Sequence, residues 1–346
     1  MLRMLAGSAA VLVGLHAGPG GALAQDEVER FYRGRTIDMH IGFSVGGTYD
    51  LYGRVVARFI GKHIPGQPTI VPKQMVGAGT RVAANYLYTV APKDGSQLGV
   101  VDQALPLQQA MGEPGVLFDT RKLNWIGNPI ADNNTMAAWH PAGITSIEQA
   151  KTRSFTVGAN GITAAAQYAQ AMNTLIGTKF SIITGYPGGT EINLAMERGE
   201  VAIRGQNSWS SWKANHREWL EQKKIVILVQ MGLQKNPELA DIPLLMDLAP
   251  SADAREVLKL LSAPTAIGRP IFTTPDVPAD RLAALRAAFD ATMKDPAFIA
   301  DTKRLGLDLN PVGGIELQRI VTEIAESPKS VTGSLAGIVA ELHKAR

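Results

Sequence analysis

Three glycine-rich turns carry the residues best placed to do chemistry in this sequence: Gly46-Gly47-Thr48-Tyr49-Asp50, Gly77-Ala78-Gly79-Thr80 and Gly188-Gly189-Thr190. Each follows a short apolar run and precedes a helix-like segment. A looser turn, Gly158-Ala159-Asn160-Gly161-Ile162-Thr163, does the same. The chemistry such turns offer is anion binding. The first amides of a helix have no partner inside it and lie at the positive end of its dipole. Glycine adds positive φ and lets a ligand approach the backbone closely. One such turn reads as a tight connection, but their recurrence points to a cleft that grips an anion.

Other chemistries compete for the same residues. Gly42-Phe43-Ser44-Val45-Gly46 matches G-x-S-x-G between a strand and a helix, the context of a hydrolase nucleophile elbow. A secreted serine hydrolase using Ser44 is therefore an alternative. The motif comes after the first strand, however, and His63, His140, His216 and His343 lie in no recognisable catalytic context. Gly77-Ala78-Gly79 begins like a dinucleotide fingerprint, but Val82 takes the third glycine's place. There is no G-x-x-x-x-G-K-[ST] and no H-E-x-x-H or similar cluster, so neither a nucleotide, a metal nor another cofactor is expected. With Cys 0, thiol catalysis and Cys-ligated metals are excluded. Arg204 ends an apolar strand, where its guanidinium needs a carboxylate, either from a ligand or from a structural Asp or Glu. Trp212 and Trp219 stand a helical spacing apart; Trp219 reads as core, and Trp209 is open between core and cleft.

The elements that must position these turns follow from periodicity. Ile37, Met39 and Ile41 alternate with polar residues as a strand, and Leu51, Val55 and Phe59 share a helix face that Asp50 can cap. Thr69 to Val71 is a strand; Val82, Tyr86 and Val90 stripe a second helix; Leu98 to Val101 is a buried strand. This β–α–β–α–β order opens a parallel sheet covered by helices. It restarts after Pro141, with strands near 155–157, 180–184, 201–204 and 225–229, before a mostly helical last third.

The N-terminus bounds the setting. Arg3, the apolar stretch Met4 to Leu15 and Ala22-Leu23-Ala24 describe a cleavable secretory leader over 1–24, too short to span a membrane. A periplasmic location follows. The 346 residues suit two domains of ~150 residues each. The net charge is +3, and Lys and Arg are spread evenly along the chain, which argues against a nucleic-acid partner.

At its turns the sequence resembles the substrate-binding proteins of tripartite tricarboxylate transporters, the TctC or Bug receptors. That family's Pro-Phe-x-x-Gly-Gly-x-x-Asp loop corresponds to Gly42 through Asp50, with Gly42 replacing the proline. Its Asn-x-Pro-Gly-Ala-Gly-Gly loop corresponds to Gln74 through Thr80, with Gln74, Val76 and Thr80 departing. Its Ala-Pro-x-Asp-Gly turn stands at Ala91 to Gly95, and its Tyr-x-Gly-Gly turn at Tyr186 to Gly189. The resemblance, running from about Phe31 to the C-terminus, implies a periplasmic-binding-protein-like α/β fold. In it, two lobes (26–129 with 233–346, and 130–232) enclose a ligand cleft. It also implies a monomeric, non-enzymatic receptor that hands a small mono-, di- or tricarboxylate to membrane permease subunits. A receptor for an ABC-type uptake system is the other transport reading. By position, the resemblance places the ligand among Phe43, Ser44, Gly47 and Thr48, then Gly77, Ala78, Gly79 and Thr80, then Asn160, Gly161 and Thr163. Arg204 completes the candidate set from its own chemistry. Ala202 stands where many relatives have an Asp, so any contact from that acid is missing.

Overall fold

The computed structural model describes residues 19–161 and 163–344, with side chains from Asp26. The leader expected over 1–24 lies outside the described residues as far as residue 18. From Pro19 the backbone is helical to Tyr32.

Two sheets organise the chain. Strands β1 (Thr36–Ile41), β2 (Thr69–Gln74), β3 (Gln97–Val100) and β4 (Asn124–Asn128) form one. It is completed, after β5 (Asn134–Trp139), β6 (Phe155–Gly158), β7 (Phe180–Ile183), β8 (Ile203–Ser208) and β9 (Ile225–Met231), by β10 (Ile271–Thr273) and β11 (Val312–Gly313). The first sheet runs β11-β4-β10-β3-β1-β2, and the second β7-β6-β8-β5-β9. In each, a central strand (β1 or β6) pairs in parallel with the next strand on one side and the one after on the other. An antiparallel strand then follows in the sheet, β10 beside β3 and β5 beside β8. The duplication expected from the turns is therefore present as two α/β lobes of like topology.

Four strands escape the alternation rule. β4, β5 and β10 are buried along nearly their whole length, so both faces are apolar or small and no period of two is left to detect. β11 is only two residues long. The second sheet's first strand in the chain is thus β5, ahead of Pro141 where the pattern was expected to restart. The helix Arg81–Thr89 also turns a different face inward from the one expected. Val82 and Val90 are exposed, while Ala83, Ala84 and Leu87 are buried, because the small side chains let the helix settle closely on the sheet.

The chain passes between lobes after β4 and again between β9 and β10. The helices Ala252–Ser262 and Lys329–Lys344 pack on the second-lobe helix Ala164–Ile176, tying the last third of the chain to both units. Trp212 and Trp219 are core, tilted against each other with ring centroids 6.2 Å apart.

Candidate binding cleft

Register decides where the turns end up. Ile41 at the end of β1 faces Gln74 and Val100, the last residues of β2 and β3. The loops 42–47, 75–80 and 101–104 therefore leave the sheet along one edge. In the second lobe Gly158 faces both Ile183 and Arg204, so the loops after β6 and β7 share an edge as well. Open α/β sheets bind ligands outside the carboxyl ends of their strands, where the strand order reverses. Both lobes present that edge.

The two edges meet. Thr48 Oγ1 lies 2.9 Å from Ser211 Oγ, which lies 2.7 Å from Ser208 Oγ. Arg269, buried between the lobes, donates to Ser208 Oγ at 2.6 Å. On the other flank Gln167 Nε2 donates to Glu113 Oε1 at 3.5 Å, and Glu113 pairs with Arg81 at 2.9 Å. Thr48 and Arg81 begin the helices that follow the first two glycine loops, so each loop is brought up to the second lobe.

Within the first loop, Asp50 does not cap its helix as expected. Gly47 is the N-cap residue and no side chain caps that end. Asp50 sits in the first turn, 1% exposed, and its carboxylate reaches back to accept from the Gly46 amide at 2.9 Å. It also accepts from Arg54 Nε and from Gln74 Nε2, binding the first loop to the end of β2. Phe43 stacks on Tyr49 with ring centroids 4.0 Å apart. The helix's first-turn amides have no intrahelical acceptor.

The second loop is a run of left-handed backbone: φ is 149° at Gly77, 45° at Ala78, 61° at Gly79 and 71° at Thr80. Such a conformation costs a non-glycine residue about 1–2 kcal/mol, and the surroundings must hold it. Thr80, 2% exposed, accepts the Asp102 amide on its Oγ1 at 3.0 Å, locking the second loop to the third. In the second lobe Gly161 has φ 84°, Thr163 Oγ1 donates to Asn160 Oδ1 at 2.9 Å, and Thr163 is the uncapped N-cap of the helix Ala164–Ile176.

No family model matches the chain, and no curated protein does. Solved structures do. A TctC solute-binding protein from Polaromonas, without ligand, aligns with TM-score 0.62 at 18% identity over 90% of this chain and 99% of that one. An R. palustris protein with adipate gives 0.65 at 17% identity over 88% and 98%. MatC from Rhodopseudomonas palustris with bound malate gives 0.64 at 17% over 88% and 99%. The chain has the fold of these solute-binding proteins.

Of the four departures noted in the first-lobe loops, Gly42 and Thr80 meet in space. A Cβ on Gly42 would lie 2.7 Å from Thr80 Cβ and 2.9 Å from its methyl. The threonine at 80 therefore requires a glycine at 42.

The hydrolase alternative finds no support. Ser44 is exposed, has no left-handed φ, and its hydroxyl has no partner among the described residues. His40, His63 and His216 are engaged by Gln97, Asp295 and Asn193. Among the described residues no group of three or more His, Asp or Glu could hold a metal.

Among the described residues Arg204 lacks the structural Asp or Glu that was one of its two expected partners. Its guanidinium pairs with no Asp or Glu but donates to Asn193 Oδ1 at 2.9 Å, Asn207 Oδ1 at 3.1 Å and the Gln206 carbonyl at 3.1 Å. Trp209 turns its indole N–H to Glu238. Tyr49, Asp102, Ser211, Gln167 and Arg269 were not legible as parts of the cleft. The hydroxyls of Ser208 and Ser211 at a spacing of three were the signal available, whereas Arg269 gave none.

Because Asn193 Oδ1 accepts from Arg204, its Nδ2 must donate to His216 Nε2, 2.8 Å away. The imidazole is therefore neutral, and its pKa is lowered by burial first and then by the Arg204 charge. A lowered histidine pKa means the unfolded chain binds the proton more readily, so stability falls as pH drops through and below the usual histidine range. Glu113, Asp102 and Asp132 are raised by burial and act in the opposite direction. The comparison with His216→Gln isolates the histidine: the wild type should lose more melting temperature between pH 7.5 and 5.5. Equal losses would refute it.

Proposed function

We propose that this chain is a periplasmic solute receptor that captures a small organic carboxylate, leaves it unchanged and delivers it to the permease subunits of a tripartite tricarboxylate-type transporter. The leader over 1–24, a monomeric state and the lobe boundaries at 129/130 and 232/233 belong to the same proposal. The observation that carries it is the left-handed run Gly77–Thr80, braced by Gly42 and Asp102 at the carboxyl edge of the first sheet and facing the second lobe. Strained backbone persists where the surroundings enforce it, and such a run suits the binding of an anion by peptide dipoles. The first-turn amides at Thr48 add to it. The adipate and malate carried by two proteins of this fold support a carboxylate guest. Among the described residues no helix is long and apolar enough to cross a membrane, which fits a receptor that meets its permease from outside the bilayer.

Dialysed protein should be melted against butyrate, succinate, malate, adipate and citrate, with glucose as the uncharged control. At least one acid should raise the melting temperature in a concentration-dependent way, following RT ln(1 + [L]/Kd), and be recovered intact. A rise with glucose alone, or conversion of the acid, would refute the reading.

A further inference from the structure

Arg204 stands apart from the other cations around the cleft. Arg54 pairs with Asp50 and Arg81 with Glu113. Arg269 makes no direct ion pair, but its charge reaches the buried carboxylates of Asp102 and Asp132. Arg204 has only neutral oxygens for company, with the face of Trp212 5.2 Å from its guanidinium carbon. The nearby acids do not help: Glu191, exposed on the first turn of the helix Gly189–Glu197, and Glu200 beyond its end make no ion pair with it. Burial alone pushes its pKa down to about 10.

Its position is as telling as its isolation. Register with Gly158 sets Arg204 level with the carboxyl end of β6, beneath the turns 159–163 and 184–188. A side chain on Gly189 would collide with the guanidinium, so the glycine there keeps room for it at the start of the helix. Three of the guanidinium's five N–H groups are used within the protein, leaving two for a guest. Asn193 and Asn207 fix the plane from two sides, and the residue is only half-buried.

Resting on the carboxylate-receptor reading, we infer that Arg204, oriented by Asn193 and Asn207, takes a second carboxylate, so the ligand class is a dicarboxylate spanning from the first-lobe glycine loops to the second lobe. A partly desolvated cation without a counter-ion is costly to keep, and a guest that supplies one recovers part of that cost. A monocarboxylate of equal length cannot.

The test is calorimetric binding of succinate against butyrate and glutarate against pentanoate. The wild type should prefer each diacid by about 20-fold or more, the range of a charge-assisted pair. Arg204→Gln should bring the preference to within about threefold, and Arg204→Lys should fall between. Equal affinities for diacid and monoacid in the wild type would overturn the inference whether or not the variants fold. So would a preference that survives in folded Arg204→Gln. Absence of binding by all four acids would overturn the carboxylate reading along with it, an outcome distinct from the other two.

Discussion

Leucine in place of Gly79 is expected to lower carboxylate affinity by about 100-fold or more, near 2.7 kcal/mol, and to leave the protein folded. The two halves of that statement come from different features. Gly79 has φ 61°, and a Cβ built there meets nothing within 4 Å, so the substituent enters open space rather than the core. The folding cost is then the left-handed penalty of about 1–2 kcal/mol, a melting shift of a few degrees in a chain of this size. The binding cost is larger, because the branched side chain stands where a guest would approach the amides of the loop. Gly79→Ala separates the terms: it carries the same backbone penalty with little bulk and should lose far less affinity. Calorimetry and thermal melting on both variants check this. Unchanged affinity in a folded Gly79→Leu would remove the second loop from the site.

The second large effect is on stability. Gly42→Ala should cost about 2–3 kcal/mol, the range of an overpacked core position, because the new methyl meets Thr80 Cβ at 2.7 Å. Thr80 cannot rotate out of the way: it is β-branched, buried and tethered to the Asp102 amide. Thr80→Gly removes the obstacle and the left-handed strain at φ 71°, but leaves that amide without its acceptor. The double variant should therefore be more stable than Gly42→Ala alone, with a coupling of about 2 kcal/mol, as contacting sites give. Additive melting shifts across the four proteins would contradict the packing account of the Gly42–Thr80 contact.

These residues also mark how far the sequence could be read. The β–α turns were visible because glycine, the following helix stripe and the preceding apolar run are all local signals. Their convergence on two facing edges followed from parallel pairing, which the β–α–β order implies. What stayed hidden was set by distant partners. Asp50 reads as a helix cap, and only the path of the loop shows that its carboxylate turns back to Gly46 and across to Gln74. The outward face of Val82 and Val90 depends on how closely alanines let a helix approach the sheet, which periodicity does not weigh. β5 and β10 are buried on both faces, so they carry no alternation. Arg204 was singled out as needing a carboxylate, but the neutral character of its neighbours could not be read from residues 11 and 3 positions away.

The fastening between the lobes at Thr48 and Ser211 has a consequence for release. Two small hydroxyls share one bond there, and water can replace either partner at a net cost of about 1 kcal/mol. That bond is one of several weak ties, with Arg269 on Ser208 and Gln167 on Glu113 beside it, so on the proposed reading a guest held by both lobes would add its own grip to theirs. On the proposed receptor reading, a permease seated on both halves would have to loosen these ties as well as the guest's own contacts before the guest could leave.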